Sequence, residues 1–191
     1  MILDLFAATR CMCRRAIRLG ETMIEGAVKD KQSITPDWTP IKDEIDGVIF
    51  REVKNVLTRN GGVTTEAFRD DWSVGPTVLK HVIYVTLQAG AISAWHCHEF
   101  QSDCIFVVRG QLKAVLYDGR DGSPTHGRIS VHQLGPLRPG LLVVPPGVWH
   151  GLQCLSDEPA GFLNMFDRAY VYTDPDEWRL PADTTKIPYK F

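Results

Sequence analysis

The stretch Gly90-Ala-Ile-Ser-Ala-Trp-His96-Cys-His98-Glu-Phe-Gln-Ser-Asp103-Cys-Ile-Phe-Val-Val-Arg-Gly110 decides the fold. Short apolar runs punctuated by glycine predict strands. In a strand, residues two apart share a face, so His96 and His98 point together into whatever the strand encloses. A second punctuated run, Gly140-Leu-Leu-Val-Val-Pro145-Pro-Gly147-Val-Trp-His150, adds a third imidazole. Asp103 and His150 can then complete a pocket of three histidines and one carboxylate.

The two spacings, G-x5-H-x-H-x4-D-x6-G and G-x4-P-x-G-x2-H, resemble the paired motifs of the cupin superfamily. Asp103 stands where that family has Glu, the second motif is one residue short before Pro145, and Cys154 replaces its Asn. The resemblance implies an all-β fold, a double-stranded β-helix or jelly-roll barrel, with short N- and C-terminal extensions. It also implies a divalent transition metal (Fe, Mn, Ni, Co, Cu or Zn) on His96, His98, Asp103 and His150, since imidazole and carboxylate suit such ions.

The rest of the chain fits an antiparallel sandwich or barrel. DGVIFREVKNVL is followed by the hairpin signal Asn60-Gly61-Gly62 and VTTEAF. Then TVLKHVIYVTL, ISAWHCH, CIFVVRG, QLKAVLYDG, RISVHQLG, LLVVPPG, WHGLQCL and FLNMF recur at near-regular spacing, with no convincing amphipathic helix. In QLKAVLYD, Leu112, Ala114 and Leu116 face one way and Gln111, Lys113, Val115 and Tyr117 the other. One barrel over 45–191, including a Pro-rich tail lying over it or across a partner, follows an extension and lead-in over 1–44.

Within the cupins, KAVLYDGRDGSPTHGRISVHQLG and LLVVPPGVWHGLQCLSD resemble the dTDP-4-dehydrorhamnose 3,5-epimerase family, with its D-x-R-x-x-S-P-T-x-G and I-P-x-G-x-x-H-G-F motifs. The resemblance runs from about Ile45 to Pro188. It implies a carbohydrate isomerase that moves protons on carbons flanking a sugar ketone, a homodimer, and a nucleotide-sugar or other small carbohydrate ligand. No cofactor is required in that chemistry. By resemblance His96 is the base and Asp183 orients it, while Glu66, Lys113, Arg120 and Asn164 contact substrate. Arg120 and the Ser123-Pro124-Thr125 turn also suit a purely turn-pinning role.

The chain departs from the family pattern at four places. Ser93 stands for an Arg, Asp103 for a Lys, Asn164 for the catalytic Tyr, and Gly61-Gly62 for an Arg-Gly before Glu66. Losing two cations and gaining a carboxylate weakens the attraction for a diphosphate or an enolate. Two alternatives therefore stay open: a metal-dependent cupin enzyme, such as a dioxygenase or a sugar isomerase, and a non-catalytic sugar-binding cupin.

Bulk composition excludes other classes. The 191 residues are 44% hydrophobic and 23% charged, with 21 Lys and Arg against 23 Asp and Glu, so a formal charge of −2 offers nucleic acid or anionic membrane no general attraction. No apolar run approaches the roughly 18 residues of a membrane span. Five cysteines, odd in number and at no framework spacing, suit a reduced cytoplasm. The opening MILDLFAATRCMCRRAIRLGETMIEG has its basic cluster after the apolar stretch, the wrong order for a secretory signal. It reads as an upstream extension with a start at Met23, as a short amphipathic helix, or as a transit-like segment. His81, His126 and His132 are expected to be satisfied interior or surface residues. Trp95, Trp149 and Tyr84 suit the pocket mouth, the core or a dimer contact equally.

Overall fold

The computed structural model describes residues 24–41, 44–76 and 78–191. Readings of the first 22 residues, including Cys11 and Cys13, fall outside them. The chain divides into two units after Ile41, and the second carries all the named strands.

Among the described residues there is no α-helix, and so none long and apolar enough to cross a membrane. Two antiparallel sheets form the jelly roll. In the first, Ile49–Glu52 (β1), Gly140–Val144 (β9), Asp103–Arg109 (β6), Ala160–Phe166 (β11) and His81–Leu87 (β4) lie side by side in that order. In the second the order is Trp178–Arg179 (β12), Ile92–Cys97 (β5), Val148–Cys154 (β10), Leu112–Asp118 (β7) and Ile129–Leu134 (β8). Asn55–Leu57 (β2) and Val63–Thr65 (β3) make the hairpin expected at Asn60-Gly61-Gly62. Gly61 takes φ +77 there, a conformation a side chain would resist, while Thr58 N–H donates to Gly62 O at 2.7 Å.

Three apolar layers explain the sequence pattern. Leu112, Ala114 and Leu116 pack between the sheets with Ile105, Leu142, Val144, Leu152 and Phe162. The outer face of the first sheet, Cys104, Phe106, Leu141 and Val143, is covered by Phe68, Trp72 and Leu79. The outer face of the second, Trp95 and Val115, is covered by the tail through Leu180, Ile187, Tyr189 and Phe191. Strands buried on both faces read as continuous apolar runs, which is why CIFVV and LLVV show no alternation. Val115 is fully buried although it faces away from the barrel interior, because the tail covers it. Trp95 is core and Trp149 packs in the same layer, whereas Tyr84 is 57% exposed on β4.

The tail lies over its own barrel. Two backbone hydrogen bonds join Trp95 and Leu180, and β12 pairs with β5 so that Arg179 faces His96 and Trp178 faces Cys97. Alternation then puts Glu177 and Arg179 on the inner face, beside the histidines, and leaves Trp178 outside.

Candidate functional site

A cavity of about 330 Å³ opens between the sheets. The first sheet contributes His81, Ile83, Val85, Asp103, Ile105, Phe162 and Asn164, the second Ser93, His96, His150 and Leu152, and the tail Tyr170, Asp176, Glu177 and Arg179. Apolar strand residues form much of its wall. Four histidines, His98 being the fourth, and three carboxylates supply most of its polar groups.

Glu177 Oε1 lies 3.0 Å from His96 Nδ1, and Arg179 bonds the same oxygen. A carboxylate can only accept, so Nδ1 carries the hydrogen and Nε2 is left with its lone pair. Ser93 Oγ sits 3.0 Å from that Nε2 and donates to it. Burial, then the neighbouring His150 and Arg179, outweighs Glu177 and brings His96 down to about 4. At neutral pH it is an uncharged base with its lone pair in the cavity.

The second cluster centres on Asp103, which is 2% exposed. Its Oδ1 accepts from Gln101 Nε2 at 3.0 Å and faces His98 Nε2 at 3.4 Å; its Oδ2 accepts from Asn164 Nδ2 at 2.9 Å and faces His150 Nε2 at 3.4 Å. His98 Nδ1 donates to Asp176 O at 2.5 Å and His150 Nδ1 to Val148 O at 3.1 Å, so both rings turn Nε2 toward the carboxylate. Burial alone would keep His98 neutral. The hydrogen bond and charge of Asp103, with Asp176 adding, overcome it and hold His98 up at about 9. Burial likewise opposes the Asp103 charge, but His150 and His98 win and keep its carboxyl well below the usual range.

Asp176 fixes the loop between β5 and β6, its carboxylate accepting from the backbone N–H of Glu99, Phe100 and Gln101 at 2.7, 2.9 and 2.9 Å. The His98 ring is thus tied to the same tail residue that shapes the loop.

The family model for dTDP-4-dehydrorhamnose 3,5-epimerase matches residues 42–189. The chain belongs to that family. It is 34% identical over 152 residues to the spore coat polysaccharide biosynthesis protein SpsL of Bacillus subtilis, covering 77% of this chain and 96% of that protein. It is also 34% identical over 123 residues to the probable low-salt glycan biosynthesis epimerase Agl13 of Haloferax volcanii, covering 64% of this chain and 79% of that protein. A dTDP sugar isomerase from Desulfovibrio desulfuricans superposes with a TM-score of 0.72 at 27% identity, covering 80% of this chain and 94% of the other. The chain is thus a carbohydrate isomerase of the dTDP-4-dehydrorhamnose 3,5-epimerase type with a jelly-roll cupin fold.

Several residues assigned by family resemblance stand elsewhere than expected. The carboxylate on His96 is Glu177, not Asp183. After Leu180 the chain turns at Pro181, and exposed Asp183 lies with Ile92 and Tyr189 on the outer side of β5. Lys113 points outward from β7 and covers the rings of Tyr189 and Phe191 at 5.6 and 5.5 Å, because its β7 neighbours Leu112 and Ala114 claim the interior. Arg120 clamps Asp118 and reaches Asp46 O at 2.7 Å, the turn-pinning role, while Ser123 and Thr125 close on the same carboxylate. Glu66 is 57% exposed and paired to Arg69 outside the cavity.

Asn164 does line the cavity, bound to Asp103. Of the four expected metal donors, His98, Asp103 and His150 place ligand atoms within 4.8 Å of one another; His96 is not part of that group, its nitrogens engaged by Glu177 and Ser93. His132 is buried against Ser130 and His126 bonds Arg120 O, whereas His81 lines the cavity. Glu177, Asp176 and Gln101 carry no motif signal; only their proximity to paired β12 and β5, or to Asp103, marks them.

Proposed function

We propose that the cavity binds a nucleotide-linked 4-keto-6-deoxy sugar and that His96, oriented by Glu177, epimerises it by proton transfer beside the ketone. The observation that carries this reading is the 3.0 Å contact between His96 Nδ1 and Glu177 inside the cavity between the sheets. His96 Nε2 takes the proton from the carbon, the C–H electrons move into the carbonyl as an enolate, solvent water protonates the carbon on the other face to give the epimer, and His96 returns its proton to solvent. Ser93 yields Nε2 to the substrate. Glu177 holds the tautomer and stabilises the imidazolium that forms.

A neighbouring hollow of about 700 Å³ shares Gln101, Tyr170 and Asp176 with the cavity. Lys80 and Arg168 there suit a diphosphate, and Phe100, Tyr170 and Trp178 suit a base. Cations lost from the family pattern at Ser93 and Asp103 are thereby available nearby. The Desulfovibrio dTDP sugar isomerase supports a dTDP-linked ligand. Exposed Val82 and Tyr84 on the edge strand β4 support a homodimer, and free, buried Cys97, Cys104 and Cys154 support the cytoplasm.

A second reading rests on His98, Asp103 and His150. Their donors fit a divalent ion such as Fe, Mn, Ni, Co, Cu or Zn, because two imidazoles held at Nδ1 by carbonyls and one carboxylate converge, as metal-ligating histidines require. When bound, such an ion supplies Lewis acidity beside the ketone.

Solvent deuterium entering the carbons beside the carbonyl of a dTDP-4-keto-6-deoxy sugar tests the first reading. Incorporation by metal-free protein supports it; no incorporation by metal-free or metal-loaded protein overturns it.

A further inference from the structure

An enolate needs a donor at its oxygen, and almost every polar side chain in the cavity is already engaged. Gln101 and Asn164 each give an amide N–H to Asp103, which His98 and His150 face with Nε2. Ser93 serves His96, and Arg179 serves Glu177 with its own side chain 61% exposed at the rim. Tyr170 is 41% exposed and sets its ring edge-on to Tyr172, 5.2 Å away. That leaves His81.

His81 opens β4, where pairing with Phe166 and the Lys80 N–H bond to Phe166 O at 2.8 Å fix its backbone. Its ring packs on Phe166 with centroids 5.4 Å apart. It lines the cavity from the first sheet, whereas His96 lines it from the second. Its Nδ1 is buried with no hydrogen-bond partner. A buried N–H without an acceptor is costly, while a bare aromatic nitrogen there costs less, so Nδ1 is the nitrogen better left without a hydrogen and Nε2 the one that carries it.

We propose that His81 is a catalytic residue for the epimerisation, its Nε2–H donating a hydrogen bond to the ketone oxygen as that oxygen becomes an enolate. No proton leaves His81. His96 takes the proton from the carbon, the C–H electrons pass into the carbonyl, and the negative charge on oxygen is held by the Nε2–H from the facing sheet. The proposal rests on the keto-sugar reading and adds the group that the family pattern lacks here.

The test measures deuterium incorporation from solvent into the keto sugar by wild type, His81→Phe, His81→Asn and His81→Gln. Gln places an amide N–H near the position of Nε2; Asn places one near Nδ1, and Phe supplies none. Loss of the donor is expected to slow incorporation by about 100-fold or more at saturating substrate in the Phe and Asn variants, with Gln restoring at least tenfold of it and KM little changed. Equal rates in wild type and His81→Phe overturn the proposal, as does a Gln variant no better than Phe when all four proteins melt within a few degrees of one another. A His81→Phe variant that does not fold leaves the Asn and Gln pair, whose difference decides alone. Failure of the wild type itself to incorporate deuterium overturns the keto-sugar reading instead, so the two failures are separable.

Discussion

Glu177 Oε1 meets His96 Nδ1 at 3.0 Å across 81 residues of chain, because two residues of tail pair with β5. Replacing Glu177 by Gln keeps the shape but lets an amide N–H face Nδ1, which favours the wrong tautomer. Deuterium incorporation is expected to fall by roughly 100- to 10,000-fold, as when a triad carboxylate becomes an amide. Asp183→Asn, on the outer side of β5, is expected to stay within about twofold, as surface substitutions do. The opposite ranking would return the orienting role to Asp183.

His98, Asp103 and His150 give a metal test that needs no substrate. A divalent ion held by these donors stabilises the folded chain by about 2.7 kcal/mol at 100-fold excess over Kd, raising Tm, and chelator reverses it. Asp103→Asn should abolish the shift. His98 is held up at about 9, so binding at neutral pH releases a proton and tightens as pH rises. A Tm that ignores Zn, Mn and Fe alike, in protein stripped of metal, removes this site.

Asp118 is fully buried and receives Arg120, Ser123 and Thr125, so it reports on acid stability. The Arg120 bond, against burial and with Ser123 and Thr125 helping, depresses its carboxyl below the ordinary value. A depressed group stabilises the fold above its unfolded value, about pH 4, and loses that contribution as pH falls further. Asp118→Ala should cost about 3 kcal/mol at pH 7, the scale for breaking one partner of a buried pair. The gap between variant and wild type should narrow in urea titrations run toward pH 3. A constant gap would refute the assignment.

Deleting 187–191 removes Ile187, 2% exposed, and uncovers Trp95 and Val115, both fully buried. Stability should drop by about 2–5 kcal/mol, as for large core truncations. Because β12 lies before the cut, deuterium incorporation well below the new Tm should persist. Lys113→Ala removes a cation over Tyr189 and Phe191 worth roughly 0.5–1 kcal/mol and should leave KM unchanged. A raised KM would place Lys113 in substrate binding after all.

The sequence alone determined an antiparallel sandwich or barrel of short strands; the jelly roll and the gathering of His96, His98, Asp103 and His150 were what its cupin resemblance implied, and in the structure His96 stands apart from the other three. The strands follow from period-two alternation and glycine punctuation, which are local and survive in one chain read by itself. The Leu112, Ala114 and Leu116 stripe was legible for the same reason. Burial of Val115 was not, since a strand cannot announce that a tail 70 residues later will cover its outer face. Tertiary structure decided which carboxylate serves His96. Asp183 fitted by family position, but pairing of β12 with β5 is a long-range register, and a shift of one residue would have turned Glu177 and Arg179 outward. The same holds for His81. On one strand it is an ordinary interior histidine; only the folding of one sheet over the other brings it to the wall opposite His96 and leaves its Nδ1 without a partner.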